Sequence, residues 1–271
     1  MSFQNEIMRD FSLVTYYDLL HAFGSSGYRI INFLDYVESI RPNKFVILRH
    51  DVDRNPKNAL RMAKMERHLG IRASYYFRVI GISHHDAIVR EIASMGHEIG
   101  YHYEDLTAAN GRVQCAIESF EKELSLFREL YPVKTICMHG SPLSRWDNRE
   151  LWEYCDYRDF GIVGEPYFDI DFHEVLYLSD TGRRWDGKAV SIRDKVASGI
   201  THNLKSSADI LRSLNHNQLP DKIMMNTHPH RWNDSLIPWL KELIWQNMKN
   251  AGKRLLVKRY RVSSAKALSI E

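Results

Sequence analysis

The chain has 271 residues, of which 44% are apolar and 26% are charged, and its 37 basic and 34 acidic side chains leave a formal net charge of +3. These values are typical of a globular protein with enough length for a sizeable core. They exclude the strongly basic class of nucleic-acid-binding proteins.

No run of about 18 apolar residues occurs, so no membrane span is expected. The N-terminal residues MSFQNEIMRD contain acids and lack the apolar stretch of a signal peptide. The three cysteines, Cys115, Cys137 and Cys155, share no metal-type spacing. These features predict a cytoplasmic protein in a reducing compartment.

Helical patterns come first along the chain, at Tyr16–Phe23 and Ile30–Ser39, and predict a helical N-terminal extension over about residues 1–42. Short apolar runs typical of strands then alternate with helical patterns. The predicted strands are Phe45–Arg49, Ala73–Val79, Glu98–His102, Lys134–Met138, Gly161–Val163, Glu174–Leu178 and Lys222–Asn226. The predicted helices are Pro56–Leu69, His85–Met95, Val113–Leu130, Asn148–Tyr154, Ala208–Leu214 and Ser235–Asn247.

This alternation is typical of an α/β protein built from βαβ units. About seven parallel strands favour a distorted or incomplete (β/α) barrel, with an open doubly wound sheet as the alternative. No linker or internal repeat divides the chain, so residues 1–271 are expected to form a single domain. The tail from Gly252 is basic, which predicts a solvated face of a terminal helix or strand; an anionic membrane surface or a lipid-linked pyrophosphate is the alternative.

The first predicted strand ends in two carboxylates. Residues two apart in a strand face the same way, so Asp51 and Asp53 point together at its carboxyl end. Two carboxylates side by side repel each other unless something positive lies between or beside them. A metal ion is the simplest candidate.

Histidines stand at three other strand ends. His102 ends the third strand, His139 follows the fourth and His228 follows the last. Because parallel strands all point the same way, these side chains are expected to meet Asp51 and Asp53 at one rim of the barrel. An Asp/His set of this kind predicts a metal and catalytic site.

The motifs carrying these residues resemble those of the polysaccharide deacetylases of carbohydrate esterase family four, the NodB-homology domain. Gly96-His-Glu-Ile-Gly-Tyr-His102 is similar to that family's second motif, and His50-Asp51-Val52-Asp53 to its first. His139-Gly-Ser-Pro142 stands where the third motif, Arg-x-x-Pro, is expected, and Thr227-His228 resembles the last. The resemblance covers roughly residues 44 to 232, and only the second motif is specific by itself.

The resemblance implies a divalent metal, commonly zinc, with cobalt or nickel as alternatives, and hydrolysis of an acetyl group on a sugar. It implies that Asp53 and His102 are metal ligands and that Asp51 is the base. It also implies that His228 protonates the leaving group, and that the metal or the backbone N–H after the third motif holds the oxyanion.

The chain departs from the pattern at Leu106, where the family has a second histidine ligand four residues after the first. His139 is the favoured replacement, and Glu104 and His228 are the alternatives. A degraded site without metal is a further possibility that Leu106 favours.

The expected function is a metal-dependent hydrolase that deacetylates an amino sugar in a nucleotide sugar or a surface-polysaccharide precursor. A catalytically inactive carbohydrate-binding protein on the same scaffold is one alternative, and a hydrolase of another C–N bond, such as a cyclic amide, is another. The expected partner is a small-molecule or glycan substrate rather than nucleic acid. The oligomeric state is left open.

Overall fold

The computed structural model describes residues 9–79, 85–141, 144–186, 193–194, 196–200 and 202–267, with side chains as far as residue 252. The strands are β1 (Arg29–Ile31), β2 (Phe45–Val52), β3 (Ser74–Phe77), β4 (Glu98–Tyr103), β5 (Ile136–Met138), β6 (Leu176–Ser179) and β7 (Lys222–Thr227). The α-helices are α1 (Leu13–Ser25), α2 (Phe33–Val37), α3 (Pro56–His68), α4 (Asp86–Ser94), α5 (Asp105–Ala108), α6 (Val113–Arg128), α7 (Pro166–Asp169), α8 (Ser207–Asn215) and α9 (Leu236–Ala267). Short 3-10 helices span Asn148–Glu153, Tyr157–Phe160 and Pro229–Arg231.

The strands form one seven-stranded parallel sheet. Its order is β5-β4-β3-β2-β7-β6, and β1 pairs with the start of β2. In a flat sheet, β2 and β4 would lie about 10 Å apart because β3 separates them. The sheet instead curls, so that Asp53 after β2 and His102 on β4 approach to 3.4 Å. The prediction of an incomplete (β/α) barrel with about seven parallel strands is confirmed.

The strand β2 alternates between two buried surfaces, as its period of two residues requires. Phe45 and Ile47 pack inside the curled sheet, whereas Val46 and Leu48 pack under the outer helices. Arg49 and Asp51 continue the inner series. The interior is therefore apolar at the amino ends of the strands and polar at their carboxyl ends, where the site lies.

The N-terminal region corrects one prediction. The segment Ile30–Ser39 is not one helix, because Arg29–Ile31 pairs with Phe45–Ile47 as strand β1. The helix α2 begins only after Asn32, whose side chain accepts a hydrogen bond from the backbone N–H of Asp35 and so caps the helix. The segment before β2 thus adds a strand to the sheet as well as helices.

Three other predicted elements differ in kind or in length from those observed. The strand predicted at Gly161–Val163 is absent, and a single bridge joins Thr135 to Gly164 instead. The helix predicted at Asn148–Tyr154 is a 3-10 helix, whose start is capped by the Asp147 carboxylate accepting from Arg149 N. The helix predicted at Ser235–Asn247 is the first half of the longer α9.

Within the described residues, no helix combines the length and apolar character needed to cross a bilayer.

Candidate metal centre

Three predicted ligands meet at the carboxyl ends of β2, β4 and β5. The Asp53 Oδ1 atom lies 3.4 Å from His102 Nε2 and 3.5 Å from His139 Nε2. One ligand atom from each of the three residues lies within 4.8 Å of the others. The structure therefore brings together two residues that the resemblance implies as ligands and the histidine favoured for the vacant third position.

Each imidazole is turned so that Nε2 faces Asp53. His102 Nδ1 lies 2.9 Å from the Cys137 carbonyl oxygen, and His139 Nδ1 lies 3.0 Å from Glu104 Oε2. Both partners can only accept, so both Nδ1 atoms carry a proton, and in the neutral imidazoles the Nε2 atom presents a lone pair. A hydrogen bond from the ring nitrogen that does not face the metal fixes the tautomer and orientation of metal-binding histidines. Glu104, an alternative ligand, is held behind His139 by Arg78 Nε at 2.7 Å.

The spacing of these atoms fits a bound metal. Asp53 Oδ1 is buried and, among the described residues, has no hydrogen-bond partner, although two imidazole nitrogens are near. Around tetrahedral zinc, with ligand bonds of 2.0–2.1 Å, neighbouring ligand atoms lie roughly 3.3–3.4 Å apart. The observed 3.4 and 3.5 Å match that spacing. One carboxylate and two imidazoles also leave a fourth position open, as catalytic zinc sites do.

The charges at the site favour a cation between Asp53 and the histidines. Burial opposes ionisation of Asp53, yet the imidazoles of His102, His139 and His228 outweigh it and hold its pKa well below the usual range. Burial lowers the pKa of His102, but Asp51 and Asp53 more than offset this and raise it above the ordinary value. Without metal, the structure therefore favours a proton on His102 beside an ionised Asp53.

Asp51 lies on the same inner face but has different partners. Its Oδ2 atom accepts from Arg49 Nη2 at 3.1 Å and from Asn226 Nδ2 at 2.8 Å. Arg49 and Asn226 are register partners on β2 and β7. His228 Nε2 lies 4.0 Å from Asp51 Oδ2 and 4.0 Å from Asp53 Oδ2. The proposed base, the proposed acid and the candidate ligands thus line one cavity.

His228 is oriented by a buried carboxylate. Its Nδ1 atom lies 2.7 Å from Asp180 Oδ1, and its backbone N–H donates to Asp180 Oδ2 at 2.9 Å. Arg231 also pairs with Asp180. Burial raises the pKa of Asp180, but Arg231 and His228 outweigh it and hold that pKa well below its usual range. Ionised Asp180 can only accept, which favours a proton on Nδ1 of His228, while Arg231 Nη1, which can only donate, lies 2.9 Å from the same atom. The Nε2 atom faces the cavity.

The neighbouring histidines of the motifs have structural roles. His50 points to the outer face of β2, where Nδ1 lies 2.6 Å from Thr227 Oγ1 and Nε2 lies 2.9 Å from Glu66. His97 lies in the same buried cluster, 3.6 Å from Glu66. Leu106 is 2% exposed and packs in a small apolar cluster with Ala109, Ala116 and Leu151. His50 and Leu106 do not line the cavity.

A second group of potential ligands, Asp51, His102 and Cys137, also lies within 4.8 Å. Burial raises the pKa of the Cys137 thiol well above its usual value. Because the thiolate and not the thiol binds metal, this group fits a cation less well than Asp53, His102 and His139 do.

The cavity has a volume of about 250 Å³. Its mouth is rich in cations, lined by Arg54, Arg78, Arg193, Arg231 and Lys249. Arg78, Arg193 and Arg231 are paired with Glu104, Asp147 and Asp180, and Arg54 lies half-exposed, 4.0 Å from Glu242. Pro142 of the third motif lies outside the described residues, so an oxyanion-binding backbone N–H after it stays a prediction.

Sequence reasoning missed three functional side chains. Arg49 stands two residues before Asp51, so the two-residue alternation of side chains along a strand is enough to place it on the inner face. Asn226 is the penultimate residue of β7, and only the pairing with β2 shows that it meets Asp51. Asp180 follows β6 directly, and only the structure shows that it meets His228.

No family model and no curated protein matches the chain. Among solved structures, the wild-type family 4 carbohydrate esterase pseudoenzyme from Bacillus anthracis matches with TM-score 0.42 and 13% identity, over 76% of this chain and 61% of that one. A mutant of the peptidoglycan deacetylase PdaC from Bacillus subtilis matches with TM-score 0.44 and 10% identity, over 84% and 98%. A family 4 carbohydrate esterase from Streptomyces lividans matches with TM-score 0.39 and 13% identity, over 79% and 91%.

The chain spans 65% of the length of a mutant of the same pseudoenzyme, a mutant that has restored enzymatic activity. These likenesses are too distant to carry a functional argument.

Proposed function

We propose that the protein is a metal-dependent hydrolase, a divergent relative of the polysaccharide deacetylases, that removes an acetyl group from an amino sugar. The observation that carries the proposal is the position of Asp53 Oδ1. This atom is buried without a hydrogen-bond partner among the described residues, and it lies 3.4 Å from His102 Nε2 and 3.5 Å from His139 Nε2. Asp53, His102 and His139 would hold the metal, which we take to be zinc, with cobalt or nickel as alternatives.

When bound, the metal would polarise the acyl oxygen and lower the pKa of a water to about 7. Asp51 is the base that accepts the proton of the attacking water. Arg49 and Asn226 both bind Oδ2 of Asp51, which fixes the direction of its carboxylate. Removing either would leave the base less well oriented.

His228 donates a proton from Nε2 to the leaving nitrogen. Asp180 supports this role because it accepts the Nδ1 proton at 2.7 Å and stabilises the imidazolium. Arg231 keeps Asp180 ionised. Asp51 Oδ2 and His228 Nε2 lie 4.0 Å apart in the same cavity, so one group can take a proton and the other can give one.

The cationic mouth supports an anionic substrate, such as a nucleotide sugar or a pyrophosphate-linked precursor of a surface polysaccharide. The three cysteines are all free thiols, which supports a reducing compartment such as the cytoplasm.

The test is acetate release from N-acetylated nucleotide sugars by the zinc-loaded protein, with Asp51→Asn as the variant lacking the base. Release by the wild type that Asp51→Asn loses supports the proposal. Cleavage of cyclic amides without acetate release would favour the other C–N hydrolase. Sugar binding without any hydrolysis by the zinc-loaded wild type would favour the inactive carbohydrate-binding protein, which Leu106 favours.

A further inference from the structure

The outer face of α9 is apolar and open. The exposed positions are Leu236 at 56%, Ile237 at 67%, Leu240 at 40%, Ile244 at 59%, Trp245 at 48% and Met248 at 63%. Positions spaced three and four apart form one stripe along a helix. Six large apolar side chains on one stripe go beyond the scattered exposure that a globular surface tolerates, and such stripes mark interaction sites.

The opposite side of α9 holds the helix to the rest of the protein through polar groups. Gln246 and Asn250 are 2% and 6% exposed, and Asn250 Nδ2 donates to the Gly182 carbonyl at 2.9 Å. Trp239 Nε1 donates to the Asp10 carbonyl at 2.7 Å. A surface helix ordinarily buries its apolar stripe and exposes its polar side. This helix does the reverse, and among the described residues nothing covers its apolar stripe, which is open to a partner.

The charge of α9 indicates which partner fits. Its sequence carries one acid, Glu242, and eight bases, for a formal net charge of +7; the bases are Lys241, Lys249, Lys253, Arg254, Lys258, Arg259, Arg261 and Lys266. Six of these bases follow the stripe along the helix, from Lys253 on. An apolar stripe combined with many Lys and Arg is typical of helices that lie in the interface of anionic membranes. A second copy of the chain fits less well, because pairing two such helices brings like charges together.

We propose that α9 docks the protein on an anionic lipid surface. Ile237, Ile244 and Met248 enter the boundary between headgroups and acyl chains, and Lys241 and the basic residues after Gly252 meet the lipid phosphates. The inference is independent of the proposed function.

Docking places the cavity close to the membrane. Gln246 and Lys249, on the inner side of α9, line the mouth of the cavity. The mouth then lies about one helix diameter, roughly 10 Å, from the headgroups. A substrate carried on a lipid would be within reach of the site.

The test is flotation of the full chain with vesicles of phosphatidylcholine, with and without phosphatidylglycerol. We expect the wild type to float with the vesicles that contain phosphatidylglycerol and to remain in the dense fraction when the vesicles contain phosphatidylcholine alone. We also expect it to dissociate from the vesicles as the salt concentration rises. The double substitution Ile244→Glu with Met248→Glu is expected to lower vesicle affinity at least roughly tenfold.

The matched control is Tyr154→Glu, which places a charge at a 65% exposed aromatic away from α9 and is expected to bind vesicles as the wild type does. Thermal unfolding checks that all variants fold. The proposal is overturned if the wild type does not bind vesicles that contain phosphatidylglycerol, or if it binds vesicles of phosphatidylcholine alone equally well. It is also overturned if the double variant binds vesicles like the wild type. It is also overturned if the chain is a dimer that the double variant splits while no vesicle binds, because a second copy then covers the stripe.

Discussion

Asp53 and His102 face each other across the curled sheet, with Oδ1 of the carboxylate 3.4 Å from Nε2 of the imidazole. His102 carries its other proton on Nδ1, toward the Cys137 carbonyl. A lone pair therefore faces a carboxylate oxygen unless a cation lies between them. Either a proton or a metal ion satisfies both groups, and competition between the two makes the site pH-sensitive.

Zinc affinity should follow the protonation of His102. The raised pKa of His102 keeps the imidazole protonated at pH values where an ordinary histidine is already neutral. Since the metal must displace that proton, affinity should fall about tenfold for each pH unit below this pKa and level off above it. Calorimetric titration in buffers of different ionisation enthalpy should show proton release in the lower range. Affinity that is flat from about pH 5 to pH 8 would contradict this.

Glu104→Gln should weaken the metal site without emptying it. Glu104 accepts the Nδ1 proton of His139 at 3.0 Å, and the substitution removes the charge that makes Nε2 a better donor to metal. Zinc affinity should fall about 10- to 100-fold, the usual effect of losing a group that orients a ligand. Glu118→Gln, on the exposed side of α6, is the control. Equal affinity in both variants would show that Glu104 does not support the site.

Leu106→His should not restore a ligand, although it restores the histidine of the family pattern. Leu106 is 2% exposed and packs with Ala116 and Leu151 away from the cavity. Burying an imidazole there should lower the free energy of unfolding by about 1–3 kcal/mol and leave zinc affinity unchanged. Leu106→Met, which conserves volume, should unfold nearly as the wild type does. A tenfold gain in zinc affinity for Leu106→His would be the contrary result.

Asp180→Asn should slow the chemical step, because an amide stabilises the His228 imidazolium poorly. We expect kcat for acetate release to fall about 10²- to 10⁴-fold with little change in KM. The control is Asp105→Asn, an equally buried carboxyl bonded to Tyr101 and Ser119. A kcat for Asp180→Asn no lower than that for Asp105→Asn would show that Asp180 acts only in folding.

Much of the site follows from local patterns, and the rest depends on contacts between strands. The period of two in β2 places Asp51 and Asp53 on one face, and parallel strands bring His102, His139 and His228 to the same end. The contact of Asn226 with Asp51 depends on the register between β7 and β2, which no local pattern encodes. The strand β1 was missed for the same reason, since three residues become a strand only through pairing with Phe45–Ile47.

The replacement of the missing histidine shows the same limit. The sequence left His139, Glu104 and His228 open as the third ligand. Side-chain direction distinguishes them, because His139 turns Nε2 toward Asp53, Glu104 backs His139, and Asp180 orients His228. That His139 completes the site stays a prediction.

The most direct test of a metal centre at Asp53, His102 and His139 is calorimetric titration of zinc into the metal-free wild type, Asp53→Ala and His139→Ala. His21→Ala, an exposed histidine of α1, is the matched control. We predict one zinc per chain for the wild type and the control, and a loss of affinity of at least roughly 100-fold in both site variants. A wild type that binds no zinc, cobalt or nickel, or a His139→Ala variant with wild-type affinity, would contradict the account.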